Sequence, residues 1–132
     1  PFLKAHKIGM AIFNPIAGGL LAGKHKLGQP AENTRFSNSP MYLKRYWSDR
    51  NFSALEQLTE IASQNGLSIL ELALKWCAMQ PEVTSIISGV SRLSQLEQNI
   101  AVLEKENLSA DVLAACDEVW AMLGGAGFQY HR

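Results

Sequence analysis

The apolar positions of this chain are concentrated in two short segments and recur at helical spacing elsewhere. Residues 8–13 are all apolar or glycine, a pattern typical of a parallel strand buried on both faces. Asn14-Pro15 must end that strand, because proline cannot donate to a sheet ladder. A second segment, residues 84–88, has Ile86 and Ile87 at its centre and stops at Gly89. It predicts a short buried strand that returns to the same sheet.

Two helices are predicted between these strands. Residues 53–65 place apolar side chains on one helix face: Leu55, Leu58, Ile61 and Ala62. Gly66 follows where a left-handed cap is expected. Ser68 and Glu71 have the spacing of a capping box, which opens a second helix that continues to Gln80.

Two further helices are predicted after the second strand. Ser94 and Glu97 form another capping box, and the helix that follows is expected to bury one side, made of Leu96, Ile100 and Leu103. Ser109 caps a last helix, which is expected to turn a second set of side chains to the core: Leu113, Cys116, Trp120 and Leu123. Gly124-Gly125 should end that helix.

Residues 25–52 show no sustained hydrophobic period and are rich in Asn, Ser, Pro and charged residues, so they predict a long loop. A loop of this length inside a compact domain is usually functional or disordered. Its aromatic side chains are Phe36, Tyr42, Tyr46 and Trp47. They could line the mouth of a substrate site or pack onto the helices below, and the sequence leaves both interpretations open.

Composition narrows the class of ligand. Lys plus Arg and Asp plus Glu both number 12, so the formal net charge is zero, and no basic block suggests nucleic acid or an anionic membrane. No apolar run approaches the length that crosses a bilayer. With 47% apolar residues the chain can build a real core. Binding is therefore expected to be local and directed at small molecules.

The two cysteines and the first residue bear on the origin of the chain. Cys77 and Cys116 lie inside predicted helices without metal-ligand or CxxC spacing, which indicates buried free thiols. Free thiols fit the reducing cytosol, so a cytoplasmic location is expected. The chain starts at Pro1 rather than at a methionine, and we expect it to be part of a longer gene product.

Candidate binding chemistry follows the first strand directly. Gly18, Gly19 and Gly23 would let the backbone approach a ligand closely, and Lys24 is a point charge suited to phosphate. In α/β proteins nucleotides bind where a strand ends in a glycine-rich loop. A plain connecting turn is the alternative.

A second polar cluster follows the other strand. Ser91, Arg92, Gln95 and Asn99 lie at the start of the next helix, where free N–H groups and the positive dipole end favour an anion. A solvated helix start with ordinary caps is the alternative. The sequence shows neither the spacing of a nucleophile with its general base nor the spacing of metal ligands. Neither a catalytic residue nor a metal site is therefore predicted.

Two stretches carry a family resemblance: IFNPIAGGLLAGK at 12–24 and TSIISGVSRLSQLEQN at 84–99. They resemble the seventh and eighth strands, with the segments after them, of the aldo/keto reductases, especially the branch with potassium-channel β-subunits and bacterial relatives. The resemblance implies an α/β chain that forms the C-terminal portion of a TIM (β/α)₈ barrel, which is incomplete here. Its expected parts are strand 7 with its glycine loop (1–24), a long loop (25–52), helices (53–80), strand 8 with an adenosine-binding helix (84–104), and a last helix with a tail (109–132).

The resemblance also implies an NADP(H) site. Phe13 would stack on the nicotinamide ring, and Arg35 would reach the phosphates. The ribose and pyrophosphate would be bound by Pro15, Ile16, Ala17, Gly19 and Lys24, with backbone N–H groups as donors. The 2′-phosphate and adenine would be held by Ser91, Arg92, Gln95 and Asn99. Asn14, Gly89 and Gln98 would also contact the cofactor. Gln98 stands where relatives often carry Glu, and Asn14 where they often carry Ser.

The implied activity is reduction of aldehydes or ketones to alcohols by hydride transfer from NADPH, with a small carbonyl compound as the substrate. In the family a Tyr general acid acts with Lys, Asp and His, and all four come from the first half of the barrel. The chain would then be the cofactor-binding part of such an enzyme. Two alternatives are a non-catalytic NADP-binding regulatory subunit and an inactive half-barrel that associates with itself.

Overall fold

A computed structural model describes residues 2–124. The helices are α1 Phe2–Ala5, α2 Arg35–Asn38, α3 Pro40–Tyr46, α4 Asp49–Gln64, α5 Ile69–Ala78, α6 Leu93–Glu104 and α7 Ala110–Met122. The strands are β1 Met10–Phe13 and β2 Val83–Ile87, and Ala17–Ala22 forms a short 3₁₀ segment. Both predicted strands and all four predicted central and C-terminal helices are therefore present in the predicted order.

The two strands form a parallel pair. Met10 lies opposite Val83 and Phe13 opposite Ile87, with an irregularity after Met10. Both strands therefore end at the same edge of the sheet, as parallel strands must. The predicted burial on both faces is wrong for these residues, because Phe13 is 66% exposed and Ile87 is 58% exposed. The burial alternates along β1, so only one of its faces is partly covered.

The hydrophobic core lies among the helices rather than on the sheet. Its buried members come from the 3₁₀ segment, α2, α4, α5 and α7: Leu20, Phe36, Phe52, Leu55, Leu72 and Cys116 are among them. Phe36 is completely buried. The core therefore joins the chain after β1 to the helices that lead into and follow β2.

Local capping agrees with the sequence at three helix ends. Ser68 Oγ accepts a hydrogen bond from Glu71 N at 3.2 Å, and Glu71 Oε2 accepts one from Ser68 N at 2.8 Å, so the predicted capping box is confirmed. Gly66 has a φ of 66°, the left-handed cap expected there. Ser109 Oγ accepts from Val112 N at 3.3 Å and caps α7.

The predicted long loop at 25–52 is wrong in its second half, which contains α2, α3 and the first turn of α4. Thr34 Oγ1 accepts from Ser37 N at 3.3 Å, and Ser37 Oγ accepts from Thr34 N at 3.0 Å, which caps α2. Pro40 occupies the first turn of α3, where proline is tolerated. These helices have four and seven residues, too few to show a helical period.

The predicted start and core side of α6 are also wrong. Gln95 Oε1 accepts from Arg92 N at 3.2 Å, so Arg92 and Gln95 take the capping positions expected for Ser94 and Glu97. The side expected to be buried is exposed: Leu96 is 38%, Ile100 49% and Leu103 45% exposed. The buried residue of α6 is Val102, because the helix packs on α5 through that side.

The last helix turns its apolar face slightly from the predicted position. Val112, Cys116 and Val119 are buried, whereas Trp120 is 45% exposed. Gly124 has a φ of 94° and follows the helix end as predicted. The predictions for Gly125 and for 126–132 lie outside the described residues.

The cysteine prediction is confirmed. Cys77 and Cys116 are both free thiols, one partly and one fully buried. Burial raises the pKa of each to about 11. Within residues 2–124, no helix is long and apolar enough to cross a membrane, and no group of His, Cys, Asp and Glu has the arrangement of a metal site.

Candidate functional site

A cleft of about 520 Å³ opens where β1 and β2 end. Its walls are the glycine loop, by which we mean residues 14–24, then α2 and α3, and the start of α6. Its polar lining side chains include Asn14, Lys24, His25, Thr34, Arg35, Tyr42, Ser88, Ser91, Gln95 and Asn99. The cleft therefore joins the two stretches on which the family resemblance rests.

Most of the predicted cofactor residues line this cleft. They are Phe13, Asn14, Pro15, Ile16, Gly19, Lys24, Arg35, Gly89, Ser91, Gln95 and Asn99. Ala17 instead packs against the core. Arg92 and Gln98 are exposed and lie outside the lining. The fold thus brings together residues from both stretches, including Arg35 from the region predicted to be a loop.

The glycine loop satisfies its own backbone hydrogen bonds. Asn14 has a φ of 61°, and its Oδ1 accepts from Gly18 N at 2.7 Å. Ala17 N donates to Asn14 O at 3.0 Å, and Gly19 N donates to Ile16 O at 2.9 Å. The N–H groups of residues 17–19, expected to bind a pyrophosphate, therefore already have acceptors in this conformation. The Lys24 side chain is left as the charged donor of the loop.

Tyr42 connects the glycine loop to α2. A Cβ atom on Gly18 would lie 2.7 Å from the Tyr42 ring, and Gly18 has a φ of 71°, so the ring requires glycine at that position. Arg35 Nη1 donates to the Tyr42 hydroxyl at 3.2 Å, and its Cζ lies 5.1 Å from the ring centroid. Tyr42 thus places the Arg35 guanidinium at the cleft.

Tyr46, the next aromatic along α3, also reaches the loop. Its hydroxyl accepts a hydrogen bond from Asn14 Nδ2 at 2.6 Å. Asn14 therefore holds the loop on one side and α3 on the other. Of the two interpretations left open for the aromatics, packing applies to Phe36 and Trp47, while Tyr42 both packs and lines the cleft.

On the opposite wall, α6 orders the segment that follows β2. Gln95 Oε1 accepts from Ser91 N at 3.0 Å and from Ser91 Oγ at 3.2 Å. Asn99 Nδ2 donates to Ser88 Oγ at 2.8 Å. These side chains hold the short connection between β2 and α6 against the helix start, so its position depends on where α6 lies.

The charge of the lining suits an anion. Lys24 and Arg35 contribute positive charge, and neither Asp nor Glu occurs among the described residues that line the cleft. Burial, followed by repulsion from Lys24, lowers the pKa of His25, so its imidazole is neutral at pH 7. Phe13 adds an exposed aromatic ring at the end of β1. Two cations, amide side chains and an exposed ring fit a phosphate-bearing nucleotide.

Sequence reasoning missed several cleft residues, namely His25, Asn33, Thr34, Tyr42, Leu74 and Ser88. Tyr42 was recognised only as one of several loop aromatics, and His25 carried no pattern at all. Asn33 has a φ of 57°, a conformation that Asn tolerates better than most residues. The Thr34 and Ser37 spacing was the one local signal that could have located α2 and thereby this wall.

Two other depressions lack this combination. A cavity of about 180 Å³ among α4, α5 and α7 is lined by apolar side chains and the two cysteines. An open depression of about 790 Å³ beside α4 is lined by Lys26, Glu56 and Glu60 among others. Neither lies where the two strands end, so the cleft remains the candidate site.

The comparison with known sequences identifies the family of this chain. Residues 1–121 match the sequence model of the aldo/keto reductase family. The match covers most of the chain, so this chain belongs to that family.

Three relatives illustrate its range. L-glyceraldehyde 3-phosphate reductase of Escherichia coli (strain K12) is 34% identical over 119 residues, which cover 88% of this chain and 34% of that protein. A probable voltage-gated potassium channel subunit beta of Arabidopsis thaliana is 32% identical over 106 residues, 79% of this chain and 32% of that protein. Aflatoxin B1 aldehyde reductase member 2 of Mus musculus is 32% identical over 148 aligned positions, which cover 100% of this chain and 40% of that protein. The chain thus spans 32% to 40% of their length.

Proposed function

We propose that the cleft binds NADP(H) and that the chain is the cofactor-binding part of an oxidoreductase that reduces aldehydes or ketones. The supporting observation is that predicted cofactor residues from two distant stretches line one cleft whose charged residues are all cationic. Two relatives are named as reductases of aldehyde compounds. Oxidoreductase chemistry is therefore the function that family and geometry favour together.

Each wall has a part in this proposal. Phe13 supplies a ring for the nicotinamide, Lys24 and Arg35 bind the phosphates, and Gln95 and Asn99 face the adenosine end. Arg92 remains a candidate for the 2′-phosphate, because it is exposed beside Ser91 at the start of α6. When bound, NADPH supplies the hydride for the carbonyl carbon. The described residues bind and orient the cofactor, and we place the proton donor elsewhere in the parent protein.

We further propose that the chain is the C-terminal portion of a (β/α)₈ barrel, with β1 and β2 as its seventh and eighth strands, and that it acts in the cytoplasm. The open parallel pair and the exposed apolar residues at its end support this assignment, because barrel strands need neighbours on both edges. Ligands of such barrels bind at the carboxyl ends of the strands, where this cleft lies.

The test is fluorescence titration of the full-length gene product with NADPH and NADH. Lys24→Met should weaken NADPH binding about tenfold or more, because it removes a charge-assisted contact. Lys26→Met is the matched control, since Lys26 is exposed, lies two residues away and belongs to a different surface depression. Arg92→Ala should weaken NADPH binding but leave NADH binding nearly unchanged.

Equal effects of the two lysine substitutions would contradict the assignment of the cleft. Equal affinity for NADPH and NADH would contradict the 2′-phosphate contact at Arg92. Absence of binding to either cofactor would contradict the proposed function as a whole.

A non-catalytic NADP-binding regulatory subunit is the second candidate, supported by the relative named as a potassium channel subunit. Both candidates predict cofactor binding, so turnover must separate them. NADPH absorbance followed with a panel of aldehydes and quinones should fall for a reductase. Tight cofactor binding without turnover on any member of that panel would favour the regulatory subunit.

A further inference from the structure

Lys75, on α5, is a buried cation that the proposed function does not use. Its side chain is only 3% exposed, although it lies in a helix predicted to bury apolar residues. Its Nζ donates to the carbonyl oxygens of Lys105 at 2.9 Å and Glu106 at 2.6 Å. These carbonyls directly follow Glu104, the last residue of α6. Lys75 therefore caps the carboxyl end of α6 from a neighbouring helix.

A lysine is a costly way to fill this space. Both recorded acceptors are main-chain carbonyls rather than carboxylates, so the desolvation of the ammonium is offset by hydrogen bonds and by the negative end of the α6 dipole. An apolar side chain of similar volume often replaces a buried charge with little loss of stability. Unlike an apolar side chain, the lysine makes directional hydrogen bonds, and these fix where α6 ends relative to α5.

A second contact joins the same two segments. Glu71 lies one helical turn before Lys75, and its Oε1 bonds Lys105 Nζ while its Oε2 serves the α5 capping box. Between these two residues, Leu74 lines the cleft. Helix α5 thus holds the end of α6 at two points and itself forms part of the cleft wall.

The other end of α6 carries the polar side chains of the site. The helix runs from Leu93 to Glu104, and Gln95 and Asn99 hydrogen-bond the segment after β2. When the carboxyl end of a rigid helix shifts, its start is displaced or reoriented as well. We propose that Lys75 is a positioning residue that sets the place of α6, and with it the adenosine side of the cleft. This inference rests on the proposed function.

The test compares two probes in the full-length gene product by calorimetric titration. One is 2′,5′-ADP, which carries the adenosine part of NADP. The other is inorganic pyrophosphate, whose proposed partners Lys24 and Arg35 lie on the opposite wall. Lys75→Met should weaken 2′,5′-ADP binding about fivefold or more and change pyrophosphate binding less than about twofold, since displaced supporting residues impair the sites they hold.

Asp117→Ala is the matched control. Trp76, the neighbour of Lys75 on α5, donates from Nε1 to Asp117 Oδ1 of α7 at 2.9 Å, so this variant loosens α5 from a helix outside the cleft. It should lower the melting temperature without changing 2′,5′-ADP binding. Glu71→Gln, which removes the charge from the second contact at a partly exposed position, should weaken 2′,5′-ADP binding in the same direction as Lys75→Met and decides the question if Lys75→Met does not fold.

Equal losses for both probes, or a loss in Asp117→Ala that matches Lys75→Met, would overturn the positioning role, because either result indicates general destabilisation. Unchanged 2′,5′-ADP binding in Lys75→Met would overturn it as well and leave the proposed function intact. A wild-type protein that binds neither probe would instead overturn the proposed function, and with it this inference.

Discussion

At the residue scale, His25 has the most unusual surroundings of the cleft. Its ring lies edge-on to Phe36 and Trp47, with centroids 4.9 and 5.5 Å apart. Its Nδ1 is buried and has no hydrogen-bond partner among the described residues. Burial and the neighbouring Lys24 lower the pKa of His25 below its usual value of 6.5. The neutral imidazole of His25 is therefore favoured more strongly in the folded protein than in the unfolded chain.

Replacing His25 with Phe should raise stability. Because the pKa of His25 is lower in the folded protein than in the unfolded chain, the free energy of unfolding is highest above pH 6.5. It falls as the pH decreases through the folded-state pKa of His25. His25→Phe removes that loss and the unsatisfied nitrogen, and the expected gain is roughly 1 kcal/mol at pH 7.5 and larger at pH 5. Urea denaturation at both pH values measures it, with His6→Phe in the exposed turn after α1 as the control. A variant less stable than wild type at both pH values would contradict the expectation.

The pKa of Glu71 is lowered because its charged form is stabilised, whereas that of His25 is lowered because its charged form is destabilised. Its hydrogen bond with Lys105 and those with the Ser68 backbone and hydroxyl bring its pKa to about 2. A lowered carboxyl pKa stabilises the fold above the ordinary value near 4.5, and this stabilisation disappears as the pH falls towards 2.

Glu71→Gln should therefore cost about 1 kcal/mol at pH 7, as expected for a weakened capping box. The difference from wild type should shrink between pH 4.5 and pH 2. Thermal unfolding followed by circular dichroism across this range measures it. Glu97→Gln is the control, because Glu97 has the predicted capping spacing but Gln95 takes that role. A pH-independent difference for Glu71→Gln would show that its carboxylate does not carry the effect.

At the element scale, the glycine loop is a self-bonded unit that ends β1 and opens the cleft. Asn14 closes its hydrogen bonds, and Gly18 makes room for Tyr42. Gly19 differs from Gly18, since its φ is 106° and a Cβ there would meet no atom within 4 Å. Its open side belongs to the lining of the cleft. A side chain at Gly19 would therefore enter the space proposed for the cofactor.

Gly19→Val should weaken NADPH binding at least about tenfold beyond any effect on folding, because it places a branched side chain in the cleft. Gly28→Val is a closely matched control. Gly28 has a φ of 128°, its Cβ position is equally free of neighbours, and it does not line the cleft. Both variants carry backbone strain and should lose similar stability in thermal unfolding. Equal NADPH affinity in the two variants would show that the loop is only a connection.

At the scale of the whole molecule, a line of apolar side chains on α6 is only partly covered by the described residues. This α6 stripe consists of Leu93, Leu96, Ile100 and Leu103, which are 70%, 38%, 49% and 45% exposed. Phe13 and Ile87 are also exposed, at the end of the sheet. Large exposed apolar surfaces mark interfaces. We therefore expect the 132-residue chain to associate with itself when it is prepared alone.

Sedimentation velocity of that chain at increasing concentration should show oligomers. Ile100→Lys should weaken association about tenfold or more, because an isoleucine side chain contributes roughly 1.5 to 3 kcal/mol when it is buried. Leu27→Lys is the control, since Leu27 is 57% exposed and lies outside the α6 stripe. A wild-type chain that stays monomeric across the range would show that the stripe does not mediate self-association.

What could be predicted from the sequence was the structure that neighbouring residues determine. Asn14-Pro15 end β1 whatever lies around them, and Ser68 with Glu71 opens α5 through bonds within one turn. The glycine loop and the start of α6 were predicted to be binding segments for the same reason, since their chemistry lies in consecutive residues. The prediction that they share a site required only that parallel strands end at one edge.

The rest depended on tertiary contacts that no local pattern records. Phe36 holds α2 in place because its side chain is buried in the core. The four residues of α2 are too few to show a helical period. The apolar spacing of α6 identifies a stripe but not the direction in which it points, and packing on α5 through Val102 turned it outwards. The burial of Lys75 and of His25 likewise arises from partners distant in the chain. Propensity and capping act within a helical turn, whereas burial depends on which segments meet. The sequence alone therefore determined the end of β1, the cap of α5 and the helices with a clear period, and the tertiary structure decided the walls of the cleft.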